Sequence, residues 1–146
     1  MSSRHLKILV ADDDSAMREL IVTICRDLGH DADSAEDGKV CLKKMAAAPP
    51  DILFLDLVMP VLDGVHVLKT LREKELTTTI IAISSLDDSE VIASILHAGA
   101  AAFLIKPLNE AIIREVIGRV ASGTIFGPSS IITETSAADG NARSST

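Results

Sequence analysis

The residue that offers the most chemistry in this sequence is Asp56, whose carboxylate directly follows the apolar run at residues 52–55. A short, continuous apolar run is typical of a buried parallel strand, and an acid at its end faces the crevice where such sheets bind ligands. Asp56 is therefore a candidate nucleophile. The alternative is that its carboxylate only caps the helix that follows Asp63 and Gly64.

Four further polar residues end the other apolar runs of the chain: Asp12, Asp13, Ser84 and Lys106. Because the carboxyl ends of parallel strands meet at one edge of a sheet, we expect these residues to converge on Asp56. Three carboxylates in one place repel each other unless a cation lies among them, and oxygen ligands favour Mg²⁺, with Mn²⁺ as the alternative.

With a metal in place, Lys106 and the Ser84 hydroxyl would bind the oxygens of an incoming phosphoryl group while Asp56 attacks phosphorus in line. The expected product is an aspartyl phosphate. Taken singly, Lys106 is better explained as a lysine at the edge of the core that is paired with an acid, and Ser84 is better explained as a helix-capping hydroxyl. Their arrival at successive strand ends favours the chemical interpretation.

Five predicted strands position these residues, and they lie at residues 6–11, 31–35, 52–56, 80–83 and 102–105. An amphipathic helical pattern follows each strand; the first one ends at Gly29 and Asn109 caps the last. Strands that alternate with helices predict an α/β fold, a doubly wound parallel sheet with right-handed crossovers.

Composition excludes several classes of protein. The 146 residues suit one domain, and a net charge of −7 without a Lys/Arg cluster argues against direct nucleic-acid binding. The N-terminal apolar run is too short for a signal peptide or a membrane span, so we expect a cytoplasmic protein without a membrane partner. Cys25 and Cys41 fall in helical patterns and are expected to be reduced thiols. The four histidines are expected to be solvated, and none is a convincing ligand.

Residues 5–121 form the predicted domain, and residues 122–146 are predicted to be a tail or linker. Half of residues 123–146 are Ser, Thr or Gly, without sustained periodicity. Four apolar residues could anchor this tail to the domain: Ile125, Phe126, Ile131 and Ile132.

The motifs resemble those of the receiver domain of two-component response regulators across residues 5 to about 121. The resemblance lies in Asp12-Asp13, in DLVMPVLDG with Asp56, in Ile83-Ser84, and in FLIKP with Lys106-Pro107. Separations of 44, 28 and 22 residues between Asp12, Asp56, Ser84 and Lys106 are also similar to those of the family. The resemblance implies a flavodoxin-like sheet of five strands in the order 2-1-3-4-5, with five helices.

The resemblance also implies residue roles. Asp56 would be the phosphoacceptor; Asp13, Asp56 and the backbone carbonyl of Val58 would be direct Mg²⁺ ligands; and Asp12 would act mainly through metal-bound water. Lys106 would bind the phosphate through its ammonium group.

Two residues would form the switch. Ser84 would move toward the phosphate, and Phe103 would rotate with it, unless Phe103 is an ordinary buried aromatic residue. A cis Lys106-Pro107 bond is a further implication.

As a receiver, the chain would take phosphate from a sensor histidine kinase or phosphotransfer protein and signal to an unknown protein target through its fourth helix, fifth strand and fifth helix. It would catalyse only its own Mg²⁺-dependent phosphorylation and dephosphorylation, as a single-domain regulator or as the receiver fragment of a longer one. Val58 and Leu86 are apolar where many relatives position the hydrolytic water, which predicts a long-lived phosphoryl group.

The sequence argues against three alternatives. A phosphoaspartyl hydrolase needs a second acid at the position of Val58. A flavodoxin-like nucleotide binder needs a Gly-rich loop after the first strand, where this chain has three acids. A receiver-shaped interaction module would work without phosphorylation.

Overall fold

The computed structural model describes residues 5–59, 61–85 and 87–123, together with the backbone of residues 131–132. Six strands and five helices occur in these residues: β1 (Lys7–Ala11), α1 (Ser15–Asp27), β2 (Asp31–Ala35), α2 (Gly38–Ala47), β3 (Ile52–Asp56), α3 (Gly64–Glu73), β4 (Thr79–Ser84), α4 (Ser89–His97), β5 (Ala102–Ile105), α5 (Glu110–Ala121) and β6 (Ile131–Ile132). The five strands and five helices predicted from the apolar patterns are confirmed.

The strands form one parallel sheet in the order β2-β1-β3-β4-β5-β6. The first five strands have the expected order 2-1-3-4-5. β6 lies within the predicted tail and pairs with β5, an element that the sequence pattern did not predict. Two of the suggested tail anchors thus form a strand, while Ile125 and Phe126 lie outside the described residues.

Helices cover both faces of the sheet. α1 and α5 pack on one face, where Val10 and Phe54 contribute to the core, and α2, α3 and α4 pack on the other, where Leu9 and Leu53 contribute. Successive strand residues alternate between the two faces, which explains why β3 is apolar and buried along its whole length.

Side-chain caps fix where each helix begins. The capping residues of α1 to α5 are, in order, Asp14, Asp37, Asp63, Asp88 and Asn109. Oδ1 of Asp63 accepts a hydrogen bond from the His66 backbone N–H at 2.9 Å. Asp63 therefore caps α3, and the alternative that Asp56 serves as this cap is wrong.

The acidic cluster at the strand ends contains neither a cysteine nor a histidine. Cys25 and Cys41 are buried free thiols. His5 is exposed beside Asp31, but His30 is half-buried, and its Nδ1 accepts the Leu6 backbone N–H at 3.1 Å, which corrects the expectation that all four histidines are solvated. Within the described part of the chain, no helix combines the length and apolar character that crossing a membrane requires.

Candidate functional site

Asp56 lies at the carboxyl end of β3 and is 3% exposed. Its Oδ1 accepts a hydrogen bond from the Val58 backbone N–H at 3.1 Å, so the chain that leaves the strand curls around the carboxylate. α3 begins directly against this strand: a Cβ at Gly64 would overlap the carbonyl oxygen of Asp56. Only glycine permits this close approach.

Asp12, Asp13 and Asp56 form an acidic cluster in which one carboxylate oxygen from each lies within 4.8 Å of the others. Asp12 is fully buried, whereas Asp13 is exposed. Oδ1 of Asp12 accepts the Asp14 backbone N–H at 2.9 Å, but Oδ2 has no hydrogen-bond partner among the described residues. A buried carboxylate oxygen without a partner is costly and calls for a cation or a proton.

The pKa of Asp12 also indicates that its buried negative charge is costly. Burial, reinforced by the neighbouring Asp56 charge, raises the pKa of Asp12 from 3.8 to about 6. The Asp14 N–H and the Lys106 ammonium oppose this shift without cancelling it. The surroundings of Asp12 therefore do not offset the cost of its negative charge.

The cluster fits a small divalent cation. All of its donors are oxygens, and separations of up to 4.8 Å are close to the roughly 4.2 Å that two ligands across an Mg²⁺ ion span. Oδ2 of Asp12, which has no partner among the described residues, would be available to such a cation. Receiver domains bind Mg²⁺ through acidic residues of this kind, and the donor set of this chain agrees with that.

Lys106 and Ser84 complete the site from the neighbouring strands. Nζ of Lys106 lies 3.5 Å from Oδ2 of Asp56, and the Lys106 backbone N–H donates to the Ser84 carbonyl at 2.9 Å. Ser84 is buried at the end of β4. The Lys106-Pro107 bond is cis, as the resemblance implied. The structure thus brings together all five residues predicted at the strand ends.

Phe103 lies in β5, one strand beyond the strand that ends in Ser84. It is fully buried and packs in the same apolar cluster as Ile92 and Ile95 of α4. Its position links the end of the sheet to a helix on the surface.

The loop between β3 and α3, which directly follows Asp56, exposes two apolar side chains. Val58 is 67% exposed and Val61 is 75% exposed. Val61 has a φ of 70°, a left-handed conformation that is costly for a β-branched residue and that occurs mostly where function or packing demands it. Leu86, the other apolar position singled out in the sequence, lies outside the described residues.

Arg18 is a contributor that sequence reasoning missed. Its guanidinium donates to the Asp12 carbonyl at 2.7 Å, which ties the first turn of α1 to the end of β1. Its position one helical turn after the cap Asp14 was a signal, because a side chain there returns to the start of the helix.

Sequence comparison identifies relatives of this chain. The profile described as "Response regulator receiver domain" matches residues 8–118. The "Probable transcriptional regulator ycf27" of Porphyridium aerugineum is 38% identical over 118 residues, which cover 78% of this chain and 49% of that protein. The "Alkaline phosphatase synthesis transcriptional regulatory protein PhoP" of Bacillus subtilis (strain 168) is 35% identical over 114 residues, covering 78% and 46%. The chain therefore spans about half the length of these curated relatives.

Solved structures share the fold. The Francisella response regulator 1452 receiver domain is 37% identical with a TM-score of 0.73, and the match covers 80% of this chain and 93% of that one. The chemotaxis response regulator CheY4 of Vibrio cholerae is 27% identical with a TM-score of 0.74, covering 80% and 99%. With a family profile that spans most of its length and an acidic cluster at the expected strand ends, this chain belongs to the response regulator receiver domain family.

Proposed function

We propose that this receiver domain is a phosphorylation-dependent switch that accepts a phosphoryl group on Asp56 from a histidine kinase or a phosphotransfer protein. The observation that carries the proposal is the buried Asp56 carboxylate, held 3.5 Å from the Lys106 ammonium and beside two further acids. Receiver domains of response regulators interact with such donors. The two unpaired cysteines among the described residues agree with a cytoplasmic location.

In the proposed transfer, an Asp56 oxygen attacks phosphorus in line with the bond to the donor. The P–O bond forms as the P–N bond of the phosphohistidine breaks, and the imidazole nitrogen keeps the electron pair. Lys106 and the Ser84 hydroxyl bind the oxygens of the transferred group. Burial of Asp56 limits access of competing water to the reacting carboxylate.

The residues assigned to Mg²⁺, with Mn²⁺ as the alternative, are Asp12, Asp13, Asp56 and the backbone carbonyl of Val58. Asp12 would act mainly through metal-bound water, consistent with its unpartnered Oδ2. The bound ion would neutralise negative charge on the oxygens of the transferred group. The protein residues orient the acceptor and hold the product.

The signal would leave through the surface formed by α4, β5 and α5. Ser84 ends β4, and Phe103 lies in the adjacent β5. Phe103 belongs to the same apolar cluster as Ile92 and Ile95 of α4. A movement of Ser84 toward the phosphate would change the space available to Phe103 and so bias the position of α4. The target would be a protein, contacted by this chain as a single-domain regulator or as the receiver of a longer one.

The test is the mass of the intact protein after incubation with Mg²⁺ and a phosphoryl donor, either acetyl phosphate or phosphoramidate. Wild type should gain one phosphoryl group and Asp56→Asn none. The matched control is Asp31→Asn, which removes an exposed acid at the start of β2 and should be modified like wild type. Wild type that gains no phosphoryl group from either donor would favour the interaction module that works without phosphorylation.

The phosphoryl group should also be lost slowly. Val58 exposes an apolar side chain two residues after Asp56, where it offers no group to orient a hydrolytic water. Val58→Asn should therefore shorten the lifetime of the adduct measured by mass after the donor is removed. A half-life of seconds in the wild-type protein would contradict this proposal.

A further inference from the structure

The outer edge of β5 has an occupant from the same chain. β6 pairs with it in parallel register, Ile131 opposite Phe103 and Ile132 opposite Leu104. Without β6, β5 would be the edge of the sheet, with a row of backbone N–H and C=O groups open to another strand. β5 is apolar and largely buried through its side chains, so an added strand would extend a well-packed sheet.

The pairing of β5 with β4 shows which backbone N–H groups of β5 point toward β6. The Lys106 N–H points toward β4, where it donates to the Ser84 carbonyl. Because N–H groups alternate in direction along a strand, the N–H groups of Phe103 and Ile105 point away from β4, toward β6. The pairing register then places the Ile132 N–H opposite the Phe103 carbonyl and turns the Ile131 N–H away from β5.

The crossover connection from β5 through α5 to β6 has an uncommon handedness. α5 packs on the α1 face of the sheet, whereas α3 and α4, which lead to β4 and β5 in the same direction across the sheet, pack on the opposite face. The β5-α5-β6 crossover is therefore left-handed, and about 98% of such parallel connections are right-handed. A two-residue strand on this connection makes few hydrogen bonds, each worth about 1 kcal/mol.

The sequence around residues 131–132 is suited to forming a strand at a sheet edge. Ile131 and Ile132 are adjacent β-branched residues with high strand propensity, placed within the polar sequence SSIITET. An extended peptide that adds to a sheet edge obtains affinity from its main-chain hydrogen bonds and selectivity from such side chains.

We propose that the outer edge of β5 is a strand-docking surface and that residues 131–132 occupy it in cis as a displaceable latch. The short pairing and the left-handed crossover keep the latch weak enough to release. Ile131 of the latch lies opposite Phe103, three residues before Lys106, so the latch pairs with the strand that leads into the site. The latch does not depend on phosphorylation, so it can be tested separately from the proposed phosphoryl transfer.

Two proline variants of the full chain separate pairing from a general effect of proline. Ile132→Pro removes the N–H that faces β5, whereas Ile131→Pro removes an N–H that faces away, a position where edge strands tolerate proline. Hydrogen exchange at the Phe103 and Ile105 amides should accelerate about tenfold in Ile132→Pro and change little in Ile131→Pro. Amides of β3 serve as the internal reference that the domain remains folded. Equal exchange in wild type and both variants would overturn the latch.

Two further measurements test the latch: binding of a competing peptide, and the dependence of amide protection on protein concentration. A fluorescein-labelled peptide of residues 127–136 should bind Ile132→Pro about tenfold more tightly than wild type, whose own strand competes. The same peptide with proline at position 132 should not bind. Equal binding of the unmodified peptide to both proteins, or to neither, would contradict the proposal. Protection of the Phe103 amide that appears only as the protein dimerises would assign the strand to a second copy and overturn the cis latch.

Discussion

Replacing the buried Asp12 by asparagine should stabilise the protein in the absence of Mg²⁺ and greatly weaken its stabilisation by Mg²⁺. The pKa of Asp12 is raised from 3.8 to about 6, first by burial and then by the neighbouring Asp56 charge. Above pH 6 the folded protein must therefore hold a carboxylate that the unfolded chain would hydrate. At about 1.4 kcal/mol per tenfold change in the proton equilibrium, this costs up to about 3 kcal/mol at neutral pH.

The sign of the pH dependence follows from the same shift. Between pH 6 and pH 3.8 the folded state binds this proton more readily than the unfolded chain does, so the cost falls as the pH is lowered through 6. In EDTA, the free-energy advantage of Asp12→Asn over wild type should therefore be greatest above pH 6 and shrink below it. Asparagine retains the oxygen that accepts the Asp14 N–H, so the local turn is preserved.

Urea denaturation in EDTA and in excess Mg²⁺ measures these effects. We expect Asp12→Asn to gain up to about 3 kcal/mol in EDTA, of the order of 10 °C in melting temperature for a domain of this size. Mg²⁺ should stabilise wild type by about 2.7 kcal/mol at a hundred times its dissociation constant, and the variant far less.

Asp13→Asn is the matched control, because Asp13 belongs to the same cluster but is exposed. It should lose much of the Mg²⁺ response and gain less than about 0.5 kcal/mol in EDTA, since its carboxylate is already hydrated. Equal stability of the two variants in EDTA at neutral pH would refute the reasoning that burial, and not charge alone, makes Asp12 costly.

Three other predictions concern packing and titration. Gly64→Ala should lower the free energy of unfolding in urea by about 1–3 kcal/mol, because a methyl group there overlaps the backbone at the end of β3. Gly118→Ala should raise it by about 0.5–1 kcal/mol, because the position lies in open space within α5. Burial, and then the adjacent His5 ring, lowers the pKa of His30 below 6.5. The C2 proton of His30 should therefore titrate below pH 6.5 by NMR, and the contribution of the neutral ring to stability should be lost as the pH falls through that range. A titration at or above pH 6.5 would contradict this. Burial raises the pKa of Cys25 and of Cys41 to about 12, so neither thiol should react with a disulfide reagent at pH 8 until the protein unfolds, and rapid labelling of the native state would show that one is accessible.

Local pattern was sufficient to predict the first five strands, the five helices and the polar residues that end four of those strands. The continuous apolar run before Asp56 indicated a buried parallel strand, and the alternation of strands and helices indicated a doubly wound sheet. Because parallel strands present their carboxyl ends at one edge, the residue types at those ends already implied the acidic cluster and its lysine. These conclusions depend on periodicity and chain order, which a sequence displays directly.

Distances and burial required the tertiary structure. Asp12 and Asp13 are adjacent and identical in type, yet one is buried with an unpartnered oxygen and the other is exposed, because successive residues at a strand end point in different directions. Similarly, the choice of Asp63 as the cap of α3 depends on where the loop after Asp56 returns.

β6 shows most clearly what periodicity alone cannot predict. Two isoleucines in a polar stretch are too short to display a strand period, and their pairing depends on an open edge that β5 presents only once the sheet has formed. The sequence by itself determined which residues meet at the carboxyl edge of the sheet. The tertiary structure decided how deeply each is buried, how far apart their charged atoms lie, and which segment covers the edge of the last strand.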